Sequence, residues 1–296
     1  MYNKEEVKPV KQKSYAKINL TLDVTGTRPD GYHQLCMVMH SVSLYDTVTL
    51  TLTNTGTIEL KTNLPYLPTD RKNHAWRAAE LFYQKTGITG KGLLIEIEKK
   101  IPVCAGLAGG SANAAAVLKG MNELYHGELS MQELCEIGCQ IGADVPYCIR
   151  GGTMLAEGIG EQLSPLPDLP AVPVVLAKPS FGISTPEVFR QWDKAQRPCH
   201  PDTQGMLLAL SQKNMNAVSQ LLCNALEEPA FEVMRSQGRP NIVAELKDCM
   251  LRMGAMGALM SGSGPTVYGF FPSRKKAVQA AKELRKKVAA VFIAST

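Results

Sequence analysis

The chain has 296 residues, 45% of them hydrophobic and 20% charged, the balance of a folded globular protein, which excludes a disordered chain. It holds no Gly-x-y period, no sustained heptad and no run of about 18 apolar residues, so collagen-like, coiled-coil and bilayer-spanning readings fall away. Its 32 basic and 27 acidic residues leave a net charge of +5; scattered as they are, they favour anionic partners only weakly and point to neither nucleic acid nor membrane. The first stretch, MYNKEEVKPVKQK, is charged and lacks the apolar core of a signal peptide, so a cytoplasmic protein is expected.

Residues 14–24 place Ile18, Leu20, Leu22 and Val24 on one face and Lys17, Asn19, Thr21 and Asp23 on the other, predicting a half-buried strand. Arg28-Pro29-Asp30-Gly31 is a turn, because proline presets φ and glycine tolerates positive φ. Strands are predicted over 32–44 and, separately, over 46–53, where Val48, Leu50 and Leu52 alternate with threonines. Ala75, Ala78, Ala79 and Phe82 mark a helix over 73–85, and GLLIEIEK marks a strand over 92–99. An alanine-rich helix then opens near Ser111. Ser130 and Glu133 form a capping box for a helix over 131–141, with Gly142 placed to end it.

Pro165, Pro167, Pro170 and Pro173 punctuate the chain densely enough to predict two domains, 1–164 and 165–296. Beyond them come a strand (174–178), helices to about 253, a glycine-rich segment, a basic helix over 274–289 and a terminal strand. The basic helix reads as a solvated surface helix. Strands dominate the start and helices the remainder, which favours an α+β fold. The eight cysteines include no Cys-x-x-Cys pair, so zinc spacing is missing and buried reduced thiols are expected.

Chemistry concentrates in Pro102–Ala116. A strand, a loop with Gly106, Gly109 and Gly110, then a helix start is what an anion site needs, since small residues let backbone N–H groups approach a phosphate. The same pattern also serves a tight turn that packs helix on strand. It is neither a Walker A loop nor Gly-x-Gly-x-x-Gly. Asp144, before Val145-Pro146, is expected on a constrained turn, as a general base or only as a turn residue. Lys17 is either a solvated strand lysine or a working cation. Ser261-Gly262-Ser263-Gly264-Pro265 is a bend before a strand or a loop over a ligand.

PVCAGLAGGSANAAA resembles the phosphate loop of the GHMP kinases, and AKINLTLDVTGTRPDGYHQL and MSGSGPTVYGFF resemble two further segments of that family in the same order. The resemblance covers residues 14 to 272. Asp-Gly-Tyr-His, LPTDRKNHAWRAA (67–79) and IGADVPYCI (141–149) are similar to one branch of the family. That branch phosphorylates the 2-hydroxyl of 4-diphosphocytidyl-2-C-methyl-D-erythritol in non-mevalonate isoprenoid precursor synthesis.

The resemblance implies a two-domain α+β fold, ribosomal protein S5 domain 2-like in its N-terminal half and a ferredoxin-like α/β sandwich in its C-terminal half. It implies ATP and Mg²⁺ as cofactors, with no metal ligand assigned, and a cytidine-diphosphate-linked small molecule as substrate of a monomer or homodimer. Lys17 and Asp144 become the catalytic pair. Asn73, Lys99 and the loop residues Pro102, Val103, Cys104, Ala105, Gly106, Leu107, Ala108, Gly109, Gly110, Ser111 and Ala112 become the nucleotide site. Asn19, Tyr32, His33, Thr185 and Phe189 become the substrate site, with aromatic stacking on the pyrimidine, a role for which Phe181 is the alternative to Phe189.

Cys104, Ala108 and Ala112 stand where the family loop has Gly or Ser, and His74 where it has Leu beside Asn73. Two other readings stay open. A homoserine or mevalonate type kinase would need no stacking pocket, which Asp-Gly-Tyr-His and Phe189 argue against. An inactive nucleotide-binding regulator would not need both Lys17 and Asp144.

Overall fold

The computed structural model describes residues 8–127, 129–194 and 199–296, so the charged start of the chain through Val7 lies outside the described residues. In chain order the elements are β1 (Val10–Thr27), β2 (His33–Thr53), β3 (Ile58–Thr62), α1 (His74–Thr86), β4 (Gly92–Glu98), α2 (Gly109–Leu124), α3 (Met131–Cys139) and α4 (Asp144–Arg150). There follow β5 (Thr153–Gly158), β6 (Gln162–Pro165), β7 (Pro173–Lys178), α5 (Thr185–Trp192), α6 (Thr203–Ser211), α7 (Met215–Gln220) and β8 (Cys223–Asn224). The chain closes with α8 (Glu227–Ser236), α9 (Ile242–Arg252), β9 (Gly257–Met260), β10 (Val267–Phe270), α10 (Arg274–Leu284) and β11 (Ala290–Ser295).

Two compact units form, each drawn from several stretches. The first takes residues through Tyr15, Tyr45–Ile101 and Ala108–Arg150; the second takes Ala16–Leu44, Pro102–Leu107 and Gly151–Thr296. Compactness therefore does not divide the chain at the single expected boundary of 164/165, because β1, β2 and the loop after β4 each contribute to both units.

In the first unit, Thr47–Thr53 of β2 pair antiparallel with β4, and β3 lies parallel on the other side of β4. Val48, Leu50, Leu93 and Ile95 cover one core with Phe82 of α1 and Val117, Leu118 and Met121 of α2. Alanines at 75, 78 and 79 and at 114–116 are buried between these helices, and their small side chains allow close approach. Asn73 caps α1 and the Ser130–Glu133 capping box forms as expected. Gly142, however, does not supply a left-handed stop. The helix ends at Cys139 with Gln140 as its cap, and Gly142 N–H donates to Gly138 O at 3.1 Å. The strands expected over 32–44 and 46–53 are one strand, β2.

In the second unit, β11, β7, β10 and β9 form an antiparallel sheet, against which α9 and α10 pack. The basic helix α10 is shorter than expected, ending at Leu284 rather than 289. Leu35–His40 of β2 pair antiparallel with β5, and β8 lies parallel to β1 at Thr21 and Leu22. The polar face of β1 was expected in water but is buried: Lys17 is 5% exposed, and Asn19 and Thr21 are 0%. Its polar groups have partners, since Thr21 Oγ1 accepts from Val38 N–H and the Tyr268 hydroxyl donates to Asn19 O. Thiols also depart from expectation. None of the eight cysteines is in a disulfide, but only Cys135 and Cys249 are buried, and Cys104, Cys139 and Cys199 are exposed. Among the described residues no helix is long and apolar enough to cross a membrane.

One buried group of the second unit titrates usefully. The Thr153 hydroxyl donates to Asp168 Oδ1 (3.0 Å), so in its 2.8 Å contact with His40 it accepts from Nδ1–H. His40 Nε2 is then left buried as a lone acceptor without a partner. Burial, opposed by Asp168, pushes the His40 pKa down to about 4. A folded-state value below the ordinary 6.5 means that the neutral ring stabilises the fold fully above about pH 6.5, and that this contribution is lost as pH falls toward 4. Urea unfolding at pH 7.5 and 5.0 should therefore show a loss of about 2 kcal/mol from this residue. The loss should shrink by that amount in His40→Gln, and an unchanged difference between the two pH values would discount His40.

Candidate functional site

Within the second unit, three separated segments converge on Lys17. Lys17 Nζ donates to Asn19 Oδ1 at 2.7 Å, and its backbone N–H donates to Leu107 O at 3.2 Å. Just before Leu107, Gly106 (φ +72°) lies against the turn between β9 and β10. A β-carbon on Gly106 would stand 2.1 Å from Ser261 O, so only glycine fits. Ser261 Oγ donates to Gly106 O at 2.9 Å, and a β-carbon on Gly262 would lie 3.4 Å from Lys17 Nζ. Asn224 Nδ2 donates to Met260 O and Gly262 O, at 2.8 Å each, and holds that turn in place. The Ser261–Pro265 motif is thus the bend before a strand, and it also faces the lysine.

The loop carries left-handed backbone at non-glycine residues, Cys104 (φ 50°) and Ala108 (φ 56°). These are two of the positions where the sequence departs from a glycine-rich pattern. Each conformation costs about 1–2 kcal/mol for an L-residue. Cys104 is exposed. Ala108 is the N-cap of α2 and gives it no side-chain cap hydrogen bond, and the first turn holds no acidic residue. The opening N–H groups of a 16-residue helix thereby keep their partial positive charge for an anion.

In the first unit, the head of α2 lies beside α1 and the residues before α4. A β-carbon on Gly110 would be 3.5 Å from His74 Nδ1, and one on Gly142 would be 4.0 Å from both His74 Cε1 and Ser111 Oγ. Asn73 is occupied locally: Oδ1 accepts from Ala75 N–H at 3.0 Å and Nδ2 donates to Pro68 O at 2.8 Å. His74 Nδ1 is buried without a hydrogen-bond partner. Burial first, then the Arg77 cation, hold its pKa below the ordinary histidine value. Asp144, expected on a constrained turn, is the first residue of α4, and Val145 N–H donates to Gly142 O at 3.0 Å.

Sequence reasoning missed Asp46, which organises this region. Its carboxylate is 0% exposed. Oδ1 accepts from Lys100 N–H (2.6 Å) and Ile101 N–H (2.7 Å), and Oδ2 accepts from Asn113 Nδ2 (2.8 Å) and pairs with Lys99 Nζ. Lys99 Nζ donates also to Asn113 Oδ1 at 2.8 Å, and Asn113 Nδ2 to Ser14 Oγ at 2.9 Å. Lys99 thus lies at the head of α2, where a β-carbon on Gly109 would be 3.3 Å from Nζ. Its side chain is 5% exposed, its ammonium engaged with Asp46 and Asn113. The available signal was an aspartate at the start of the strand predicted over 46–53.

The expected substrate residues lie in the second unit. His33 stacks on Phe189, with ring centroids 4.6 Å apart and an interplanar angle of 20°, and meets Trp192 edge-on at 5.5 Å. His33 Nε2 contacts Asp193 Oδ1 at 2.7 Å. Tyr32 is 62% exposed. Thr185, opening α5, contacts Ser263 Oγ at 2.7 Å through its hydroxyl, which joins this cluster to the β9–β10 turn. Phe181 is engaged elsewhere, under the Arg239 guanidinium at 4.3 Å.

Family models for the GHMP kinases N terminal domain and the GHMP kinases C terminal match residues 73–152 and 206–290, on either side of residue 165. The fold is accordingly the two-domain α+β fold of that class. A Clostridium botulinum 4-diphosphocytidyl-2-C-methyl-D-erythritol kinase is 44% identical over 284 residues, covering 96% of this chain and 99% of the relative. A crystal structure of 4-(cytidine 5'-diphospho)-2C-methyl-D-erythritol kinase superposes with a TM-score of 0.80 at 34% identity, over 97% of this chain and 98% of that one. Homoserine kinase from Cytophaga hutchinsonii shares the fold alone, with a TM-score of 0.75 at 19% identity over 99% and 96% of the two chains. The chain belongs to the 4-diphosphocytidyl-2-C-methyl-D-erythritol kinase family of the GHMP kinases.

The Asp46 pair is testable by stability. Asp46→Ala strands the buried Lys99 ammonium and should lower the unfolding free energy by about 3–5 kcal/mol in denaturant titration. Adding Lys99→Met to that variant should recover part of the loss. A single-variant loss below about 1 kcal/mol would show that the ion pair does not hold this region.

Proposed function

We propose that the chain is an ATP-dependent kinase that phosphorylates the 2-hydroxyl of 4-diphosphocytidyl-2-C-methyl-D-erythritol, a step of isoprenoid precursor synthesis in the cytoplasm, as a monomer or homodimer. The observation that carries this reading is the full-length likeness to a kinase of that compound, 44% identical over 96% of the chain. The local chemistry supports it residue by residue.

The backbone of the Pro102–Ala112 loop and the uncapped head of α2 bind the nucleotide phosphates, using N–H dipoles in place of a Walker lysine. Asn73 and His74, at the start of α1, face the same nucleotide. Asp144 takes the proton from the acceptor hydroxyl. Lys17, held by Asn19, supplies the cation that neutralises charge as the phosphoryl group moves. The acceptor is a tertiary alcohol, so alignment and charge neutralisation contribute more than proton removal. The His33–Phe189 stack, with Tyr32 and Thr185 beside it, presents flat aromatic surface and polar edges to the cytosine. Ser111 Oγ, at the head of α2, is a hard oxygen donor and fits Mg²⁺, which when bound to ATP would shield the phosphate charge.

The purified protein, offered 4-diphosphocytidyl-2-C-methyl-D-erythritol, homoserine and mevalonate in parallel, should release ADP with the first alone. Turnover with another acceptor would overturn the substrate, and ATP binding without turnover would favour an inactive regulator. Asp144→Ala should reduce kcat by about 10²–10⁴ while leaving the melting temperature nearly unchanged. Substantial surviving activity would remove Asp144 from the role of base.

A further inference from the structure

We propose that Cys199 and Cys223 form a dithiol site that a low-molecular-weight disulfide such as glutathione disulfide converts reversibly to an intramolecular disulfide. Both belong to the second unit and have no part in the proposed reaction. Their Sγ atoms stand 3.0 Å apart, across 24 positions of sequence. The two thiols differ in a way that orders the chemistry. Cys199 is exposed, whereas Cys223 is half-buried on β8, where it pairs with Thr21 of β1. Burial, and then the neighbouring Cys199, push the Cys223 thiol up to about 12. Cys223 therefore stays protonated, and Cys199 is the thiol that meets an oxidant in solution.

The exchange balances in two steps. The Cys199 thiolate attacks one sulfur of glutathione disulfide; a Cys199–glutathione bond forms as the glutathione S–S bond breaks, and one glutathione leaves as thiolate. Cys223 then attacks Cys199 Sγ and gives up its proton, and the second glutathione leaves as thiolate and takes up that proton. Two protein thiols are oxidised and one glutathione disulfide is reduced to two glutathiones. The high pKa of Cys223 slows the second step, and the 3.0 Å approach offsets this by raising the effective concentration of the partner thiol.

Next to the pair, His200 Nδ1 contacts Asp23 Oδ1 at 2.8 Å, so the segment before α6 already lies on β1. The disulfide would fasten that segment to β8 covalently. Cys36, also half-buried and close enough to Asp23 for that charge to raise its pKa, is the competing thiol.

The test incubates the fully reduced chain with glutathione disulfide, quenches it with iodoacetamide and maps proteolytic peptides by mass. The expected result is a linked Cys199–Cys223 peptide, a loss of two free thiols per chain, and full reversal by dithiothreitol. Cys223→Ser should stop at the Cys199–glutathione mixed disulfide, and Cys199→Ser should yield neither product, both variants melting within a few degrees of the parent. Alkylation of both thiols, a persistent mixed disulfide in the parent chain, or a link from Cys199 to Cys36 would each overturn the proposal.

Discussion

A carboxylate cut off from water has to be answered by donors, and the answer given to Asp46 organises the first unit around α2. Two of its partners are the N–H groups that follow β4, a third is the Lys99 ammonium, and a fourth is Asn113 on α2. Isolated burial of such a charge would cost several kcal/mol, so these partners cannot drift without a large penalty. The strand that carries Asp46, the end of β4 and the first turns of α2 are therefore held as one piece. This fixes the direction in which the head of α2 presents its N–H groups. It also explains why β2 passes through an aspartate without a break.

A second constraint acts within the second unit, on the part of the loop through Leu107. Gly106 comes so near Ser261 that no side chain can be accommodated, and the Ser261 hydroxyl bonds back to Gly106 O. Lys17 lies beside the same turn with its ammonium on Asn19. Close backbone packing, rather than a rigid side-chain cage, sets the position of the lysine. The left-handed residues Cys104 and Ala108 indicate that neighbouring structure holds the loop in a conformation that its own residues do not prefer. Strain of this kind is common where a backbone must approach a ligand closely.

Much of the architecture was legible locally. The helix α1, the capping box at Ser130, the alanine helix α2 and the strand β4 follow from propensity and period, and each formed within a few residues of expectation. The motif segments were legible too, because small residues at fixed spacing leave a strong signature. The Asp46 network was not, since its members lie at positions 14, 46, 99 and 113 and no local rule joins them. Asp144 was expected on a turn for a similar reason: Val145-Pro146 suits a turn or a first helical turn equally, and burial of Val145 and Ile149 in the first core decides for the helix.

By itself the sequence determined the globular composition, the mixed α+β elements, the glycine loop ahead of α2 and which residue types stand at the candidate site positions. Those properties depend on residue type and short spacing, which the chain carries before it folds. Tertiary structure alone decided that the polar face of β1 is buried, that His33 stacks on Phe189, and that Cys199 meets Cys223. It also decided how the chain is shared between its compact units, with β1, β2 and the loop after β4 each contributing to both. These contacts join distant segments, and the free energy of such contacts is settled only when both partners are brought out of water together.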